Sequence, residues 1–451
     1  MAEFDVGITA YRFLRHQDKR QCMQINNTVG GKVMFKNVRA LMVAMVALVV
    51  LLSACAPKTE SGSGNSGSSG KDGDKVVIQW WDSMTSEATQ GALKEIIADY
   101  EAANPNVKIE RTYISFADIK NKLLLGSVGN QMPDIVWLDN PDHQAFAAAG
   151  ILADLTEPIK EWGQADKYYE GPWSSTVYDG KNYGVPIGSN NLALYYNKDM
   201  FEAKGLTPPT NWEELKEAAK QLTTKDVYGF AMTAVKTEEG TFQFLPLMYQ
   251  SGSDITNFNS EGTIEAATLL QDMVKNGYMS KEVINQKQSD TVVQFSTGKV
   301  AMMINGTWQI PLLKKEGKVN WGVVQLPENK QGGTILGGEN WAITNASKNK
   351  DIAFDIIKFA NEPERLKAFD QAAGRLPSRS DLLQDPFWQD DKDLKVFADA
   401  MEVAKARAYG PEYPKMSEAI QIMIQEVISG SKTPEQAVKE AGDKIEPLLK
   451  K

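Results

Sequence analysis

Cysteine and histidine are nearly missing from this chain: 451 residues hold only Cys22, Cys55, His16 and His143. Two cysteines cannot build a disulfide framework for a body of this length. Two histidines argue against a zinc cluster and against a His-based catalytic relay; no metal or cofactor is expected. Positive charge is also in deficit, with 49 Lys and Arg against 58 Asp and Glu and a net charge of −9. Residues 1–54 hold seven Lys and Arg against three Asp and Glu, so the remainder carries −13. That balance argues against nucleic acid and against a basic face for anionic lipid. No apolar run reaches the roughly 20 residues of a membrane span, and no fixed-period repeat is visible. What remains is ordinary for a globular chain: 42% hydrophobic residues, dispersed charge, and length for two or three domain-sized units.

The N-terminus reads as a targeting device. Lys36 and Arg39 precede the apolar run Ala40 to Leu52, and Ser53, Ala54 and Cys55 follow. A positive region, a short apolar region and small residues before a cleavage point make a secretory signal. The tetrapeptide LSAC, Leu52 to Cys55, resembles the bacterial lipobox, in which the cysteine becomes the lipidated first residue of the mature chain. Residues 1–33 look unlike an export signal, and Met34 sits where such a signal would start. The expected division is therefore 1–54 as extension and signal, then 55–74 as a Gly/Ser-rich tether without core-forming residues.

From Lys75 the pattern is that of an α/β body. Val76 to Trp81 reads as a buried strand, Ser86 to Tyr100 as a helix, and Val107 to Tyr113 as a strand. A helix over Asp118 to Leu125, a strand over Ile135 to Leu138 and a helix over His143 to Ala149 continue the alternation. That order predicts a parallel sheet with crossover helices. Further on, Thr210 and Glu213 in TNWEEL suggest a capping box, and Tyr228 to Thr233 a strand. Gly262 to Lys275 reads as a helix, while Val300 to Ile304 and Trp321 to Leu326 read as strands. Thr334 to Thr344 reads as extended with a break at Gly337-Gly338. Helices over 351–360, 364–373, 393–406, 417–428 and 434–449 close the chain.

One stretch organises this order. In YGVPIGSNNLALYYNKDM, Tyr183 to Met200, an extended segment meets Pro186 and then the polar run Gly188 to Asn191 before Leu192 to Tyr196 resumes. A kinked edge strand or a hairpin would account for it. So would a strand that leaves one lobe and enters another, with polar side chains at the mouth of a cleft.

Seven segments then occur in register over about 300 residues: QWWDSMTSEA, MPDIVWLDN, NYGVPIGSNNLALYYNKDMF, PPTNWEELKEAAKQL, FSTGKVAMMINGTW, GGENWAI and GRLPSR. With them the chain from Lys75 onward resembles the extracellular solute-binding proteins of ABC importers, in the carbohydrate-binding family that includes maltose-binding protein. The resemblance implies a two-lobe periplasmic-binding-protein-like fold, with three inter-lobe crossings and a ligand cleft between the lobes. It places crossings near Pro186 to Ser189, Gly337 to Glu339 and Arg375 to Arg379. Lobe one is expected over 75–187 and 338–374, lobe two over 188–337 and 375–451. The implied protein is not an enzyme. It is a monomer, lipid-anchored through Cys55 at the extracytoplasmic face of the cell membrane, that passes a sugar to the transmembrane subunits of an ABC permease.

A sugar offers apolar C–H faces and a rim of hydroxyls, which flat rings and carboxylate, amide or guanidinium groups recognise. Trp81, Trp308 and Tyr409 are the aromatic candidates, and core packing accounts equally well for any one Trp. Asp82, Asp139, Asn190, Glu339 and Arg375 are the polar candidates, against capping, solvated loop charge or surface pairing. Asn140, Gln250 and Gly338 complete the set that the resemblance implies, while Tyr195 and Tyr196 read as core. Acidic charge and abundant tryptophan favour a neutral sugar over an anion; Arg375 keeps an acidic ligand in view. The alternatives are a lipid-anchored glycoside hydrolase using a carboxylate pair among Asp82, Asp139 and Glu339, and a binder of a non-sugar solute such as glycerol phosphate. Delivery of bound sugar to a chemosensory receptor would use the same site.

Overall fold

A computed structural model describes residues 75–449 except Thr85, Asn130 and Ala408; the signal segment, Cys55 and the tether lie outside the described residues. Strand β1 (Val76–Asp82) alternates as its sequence requires, with Ile78, Trp80 and Asp82 buried. It pairs in parallel with β2 (Val107–Tyr113) on one side and with β3 (Ile135–Asp139), buried along its whole length, on the other. A short hairpin of β4 (Val177–Tyr178) and β5 (Lys181–Asn182) leads into β6 (Gly184–Asn190) and β7 (Leu192–Asn197). The remaining strands are β8 (Met302–Gly306), β9 (Trp321–Val324), β10 (Thr334–Ile335), β11 (Gly337–Ile343) and β12 (Ala404–Lys405).

Two main sheets result, a five-stranded one ordered β2-β1-β3-β11-β6 and a three-stranded one ordered β8-β7-β9. The first is not wholly parallel as its early elements predict. β11 returns antiparallel between β3 and β6, which brings its N-terminal end to the C-terminal ends of the other strands. Only Asn191 separates β6 from β7, yet they pair in different sheets, so the hairpin reading fails and the chain passes from one sheet to the other there. Pro186 and Gly188 sit inside β6, and the switch itself falls at Asn191, whose side chain donates to the Phe397 carbonyl at 2.9 Å.

Each sheet has its own core. Trp80, Leu93, Leu123, Val136, Ile187 and Ile357 belong to the first; Leu194, Phe230, Leu270, Met302, Ile420 and Val438 belong to the second. A smaller cluster around Tyr195, Phe295, Trp388 and Phe397 covers the other face of the three-stranded sheet. Tyr195 is core as expected, its hydroxyl donating to the Gly306 carbonyl at 2.7 Å.

Several local expectations change. Tyr228 to Thr233 makes only isolated bridges, at Tyr228 and Ala231, rather than a strand. The helix expected over 393–406 ends at Ala400, and Ala404–Lys405 become β12, paired with β10. The cap of the TNWEEL helix is Asn211, whose side chain accepts from the Glu214 N–H, while Thr210 bonds the Glu214 carboxylate. The helix Glu238–Gln250 had no clear signal. It is buried nearly all round, which erases the 3.6-residue contrast, and Pro246 within it reads as a break. No helix among the described residues is long and apolar enough to cross a membrane.

Candidate functional site

The C-terminal ends of β1, β3 and β6 and the N-terminal end of β11 share one edge of the first sheet, where strand ends leave backbone and side chains free for a ligand. Glu339 stands directly across from Asp139 on one side and from Gly188 on the other. Two glycines make that approach possible. Gly338 has φ +144°, and a Cβ on it would lie 2.4 Å from the Gly188 carbonyl oxygen and 3.2 Å from Asn140 Nδ2. A Cβ on Gly337 would lie 2.1 Å from Asn190 Oδ1 and 2.9 Å from the Phe242 ring.

Two ion-pair groups lie on this edge. In one, the Arg375 guanidinium is 2.9 Å from Glu339, and Arg375 N–H bonds the backbone carbonyl of Asp370. Asp370 is fully buried at the end of the helix Pro363–Ala373, and neither of its carboxylate oxygens has a hydrogen-bond partner among the described residues. In the other, Arg407 donates to Asp139 at 3.2 Å, to Glu238 at 2.6 Å and to the Leu336 carbonyl at 3.2 Å. Its guanidinium lies 4.4 Å from the centre of the Phe242 ring. Glu238 also accepts from the Tyr413 hydroxyl at 2.6 Å and from Ser417.

Burial dominates the electrostatics. It pushes the Asp139 carboxyl up to about 8, against the pull of Arg407 and with the help of Glu238, Asp142 and Glu339. Burial likewise raises Glu339, opposed by Arg375 and Arg407, and drives Asp370 well above the carboxylate range. For Arg407, burial works against the charge, and Asp139 and Glu238 more than offset it.

The aromatic side is less exposed than the sequence suggests. Trp308 is half-buried against the second core, folded over Gly306, with its ring 6.4 Å from Phe242. Tyr409 stacks on Tyr413 at 5.7 Å, and its hydroxyl donates to Asp254 at 3.0 Å. Trp81 is half-buried at the end of β1 with the Lys122 ammonium 4.7 Å over its ring.

The expected site residues thus divide. Asp139, Asn140, Asn190, Gly338, Glu339 and Arg375 come together on the edge, and Trp308 joins them through Phe242. Asp82 shares the edge, but both its oxygens are taken by Arg111, at 2.5 and 2.6 Å. Gln250 does not reach it: its side chain accepts from Trp212 Nε1 at 3.1 Å and donates to the Gly333 carbonyl at 2.9 Å. Arg407, Glu238, Phe242 and Asp370 were missed. Arg407 sits in a short irregular segment with no periodic or motif signal, and Glu238 and Phe242 lie on the helix that the sequence conceals. Among the described residues no group of three His, Cys, Asp or Glu is placed to hold a metal ion.

A family model described as bacterial extracellular solute-binding protein matches residues 95–396. A binding protein of Brucella abortus is 26% identical over 378 residues, 81% of this chain and 92% of that one. The multiple sugar-binding protein of Streptococcus mutans is 26% identical over 318 residues, 66% of this chain and 73% of that one. Among solved structures, an ABC transporter solute-binding protein of Thermotoga lettingae bound with α-D-tagatose superposes with a TM-score of 0.77. It is 25% identical and covers 83% of this chain and 100% of its own.

Proposed function

Because the chain belongs to the bacterial extracellular solute-binding protein family, we propose that it captures a sugar in the cleft between its lobes and delivers it to the transmembrane subunits of an ABC importer. The observation that carries this reading is the edge where Asp139, Asn140, Glu339 and Arg375 converge, with Phe242 and Trp308 alongside. Carboxylates, an amide and a guanidinium suit a hydroxyl rim, and an aromatic face suits the C–H side of a sugar ring. The tagatose bound by the Thermotoga protein and the sugar named for the Streptococcus protein support the ligand class. The lobes are read as 75–187 with 338–374, and 188–337 with 375–451. The separate cores support that division except at its margins, where β6 keeps residues 188–190 and β11 keeps Gly337 in the first sheet; closure about the crossings would trap ligand.

The anchor is part of the same proposal. Cys55 carries lipid, the Gly/Ser tether gives the lobes reach to the permease, and the mature protein works as a monomer on the extracytoplasmic face. Mass spectrometry of the mature N-terminus checks this; an unmodified Cys55, or a chain that retains Ala40 to Leu52, overturns it. For the function, a thermal-shift screen over neutral, amino and acidic sugars with glycerol phosphate included identifies ligands, since binding to the native state alone raises Tm. Calorimetric titration with product analysis then separates classes. A stoichiometric, unaltered sugar supports the binder, turnover points to a hydrolase, and a response to glycerol phosphate alone points to a non-sugar solute.

A further inference from the structure

We propose that the sugar this cleft selects carries a protonated amino group. The proposal rests on the reading of the cleft as a sugar site and names the chemical class within it.

The charge balance of the edge is the starting point. Around it, acidic side chains come matched one to one with cations: Asp82 with Arg111, Asp142 with Lys120, Asp254 with Lys405. At its centre the match fails. Asp139, Glu238, Glu339 and Asp370 share two guanidinium groups, Arg407 and Arg375. The arrangement also decides which sign a ligand meets. The side chains of Glu238, Glu339 and Asp139 are 15%, 13% and 10% exposed, whereas Arg407 is 3% exposed and held back by Leu336 and Phe242. Three carboxylate side chains thus reach the surface of this group beside one guanidinium side chain, Arg375 at 10%, so acidic side chains outnumber basic ones there.

Unused hydrogen-bonding atoms on the same edge agree. Asn140 is 5% exposed, its Nδ2 is turned toward Gly338, and its Oδ1 has no partner among the described residues. Glu339 Oε2, although close to Arg375, accepts no hydrogen bond, and the buried Ser189 hydroxyl is likewise unpaired. An ammonium has three donors and no acceptor, so it satisfies acceptors of this kind and relieves the surplus negative charge at once. The free Nη1 of Arg375 remains for a hydroxyl oxygen of the same sugar.

Buried carboxylates in surplus are relieved either by protons or by a ligand cation. The groups that face Asp139 are Arg407 from the C-terminal segment, Glu238 from its helix, Glu339 from β11, and Asp142 with its partner Lys120. Burial keeps the proton on Asp139 up to about 8. Binding of an ammonium in its place leaves the carboxylate charged and sends that proton to solvent, with no bond made or broken in the sugar.

The test uses the full chain and two matched sets: glucosamine, N-acetylglucosamine and glucose, then the β-1,4-linked glucosamine trimer, its N-acetylated form and maltotriose. Calorimetric titrations run at mildly acid pH in two buffers of different ionisation enthalpy. The amine of at least one set should bind at least about tenfold tighter than both of its partners. It should release protons, and its advantage should shrink at high salt. Glu339→Gln should cut the preference below about threefold while a thermal melt monitors folding; proton release from the unmodified chain gives a second readout if that variant fails to fold. A neutral or acetylated sugar that binds as tightly as its amine overturns the proposal and leaves the sugar reading standing. No binding by any of the six, in a protein whose Tm responds to a non-sugar solute, overturns both.

Discussion

Replacing Arg407 by Met keeps most of the side-chain volume and removes the guanidinium that Asp139 and Glu238 share. Removing one partner of a buried ion pair costs about 3–5 kcal/mol, because the other charge is left uncompensated. Here two carboxylates lose their counter-ion, and the Leu336 carbonyl loses a donor, so the upper half of that range is expected near pH 8. The penalty must depend on pH. Burial raises the Asp139 carboxyl from its ordinary 3.8 to about 8, so between those values the folded chain holds a proton that the unfolded chain does not. The stability tied to that proton is complete below about pH 4 and is lost as pH rises through about 8. A protonated Asp139 needs no counter-ion, so Arg407→Met should cost least at the acid end of the window and progressively more toward its alkaline end. Urea denaturation at about pH 5 and about pH 8 reads this directly, and adding Asp139→Asn to the variant should recover part of the loss at the higher pH. A penalty below about 1 kcal/mol at both values, or one of equal size at both, would refute Arg407 as the buried counter-ion.

Three further outcomes are expected. Trp308→Ala removes a ring that packs beside Phe242, and by analogy with buried aromatic anchors should cost about 2–4 kcal/mol of sugar binding, roughly 30- to 1,000-fold in calorimetric titration. A near-normal affinity with a collapsed Tm would make it a packing residue. Gly338→Ala forces a side chain into a positive-φ position facing the Gly188 carbonyl and should destabilise by more than about 1–3 kcal/mol, read as a lower urea midpoint; an unchanged midpoint would reject the close approach of β11 and β6. Gln250→Leu strands the Trp212 N–H and the Gly333 carbonyl, so about 1–3 kcal/mol of stability should go while sugar affinity stays within about twofold. A selective loss of affinity would return Gln250 to the site.

Where the sequence was readable, short-range physics made it so. The strands β1 and β3 follow from apolar runs and β2 from alternation, and the change of sheet falls within the polar stretch Gly188 to Asn191 between two apolar runs. The polar candidates at strand ends, Asp139 and Glu339, were visible for the same reason, whereas Asn140 entered only through the resemblance. A charged or amide residue that closes an apolar strand has no place in the sheet interior and must look out from its edge. The helix Glu238–Gln250 was hidden because burial on every side removes the amphipathic period. Gln250 was misjudged because nothing local shows that Trp212 and Gly333 occupy both ends of its amide.

By itself, then, the sequence determined an α/β body of the solute-binding kind, with charged and amide residues at the ends of its strands. The tertiary structure decided which charges meet. Arg407 reaches Asp139 across 268 residues and Glu238 across 169. The antiparallel insertion of β11, which sets Glu339 opposite Asp139, depends on pairing between segments about 200 residues apart. Coulomb energy in a buried site depends on separation in space and on exclusion of water. Neither is written in local composition or period, so the surplus of carboxylates, and the sign of ligand it favours, exists only once the lobes are folded.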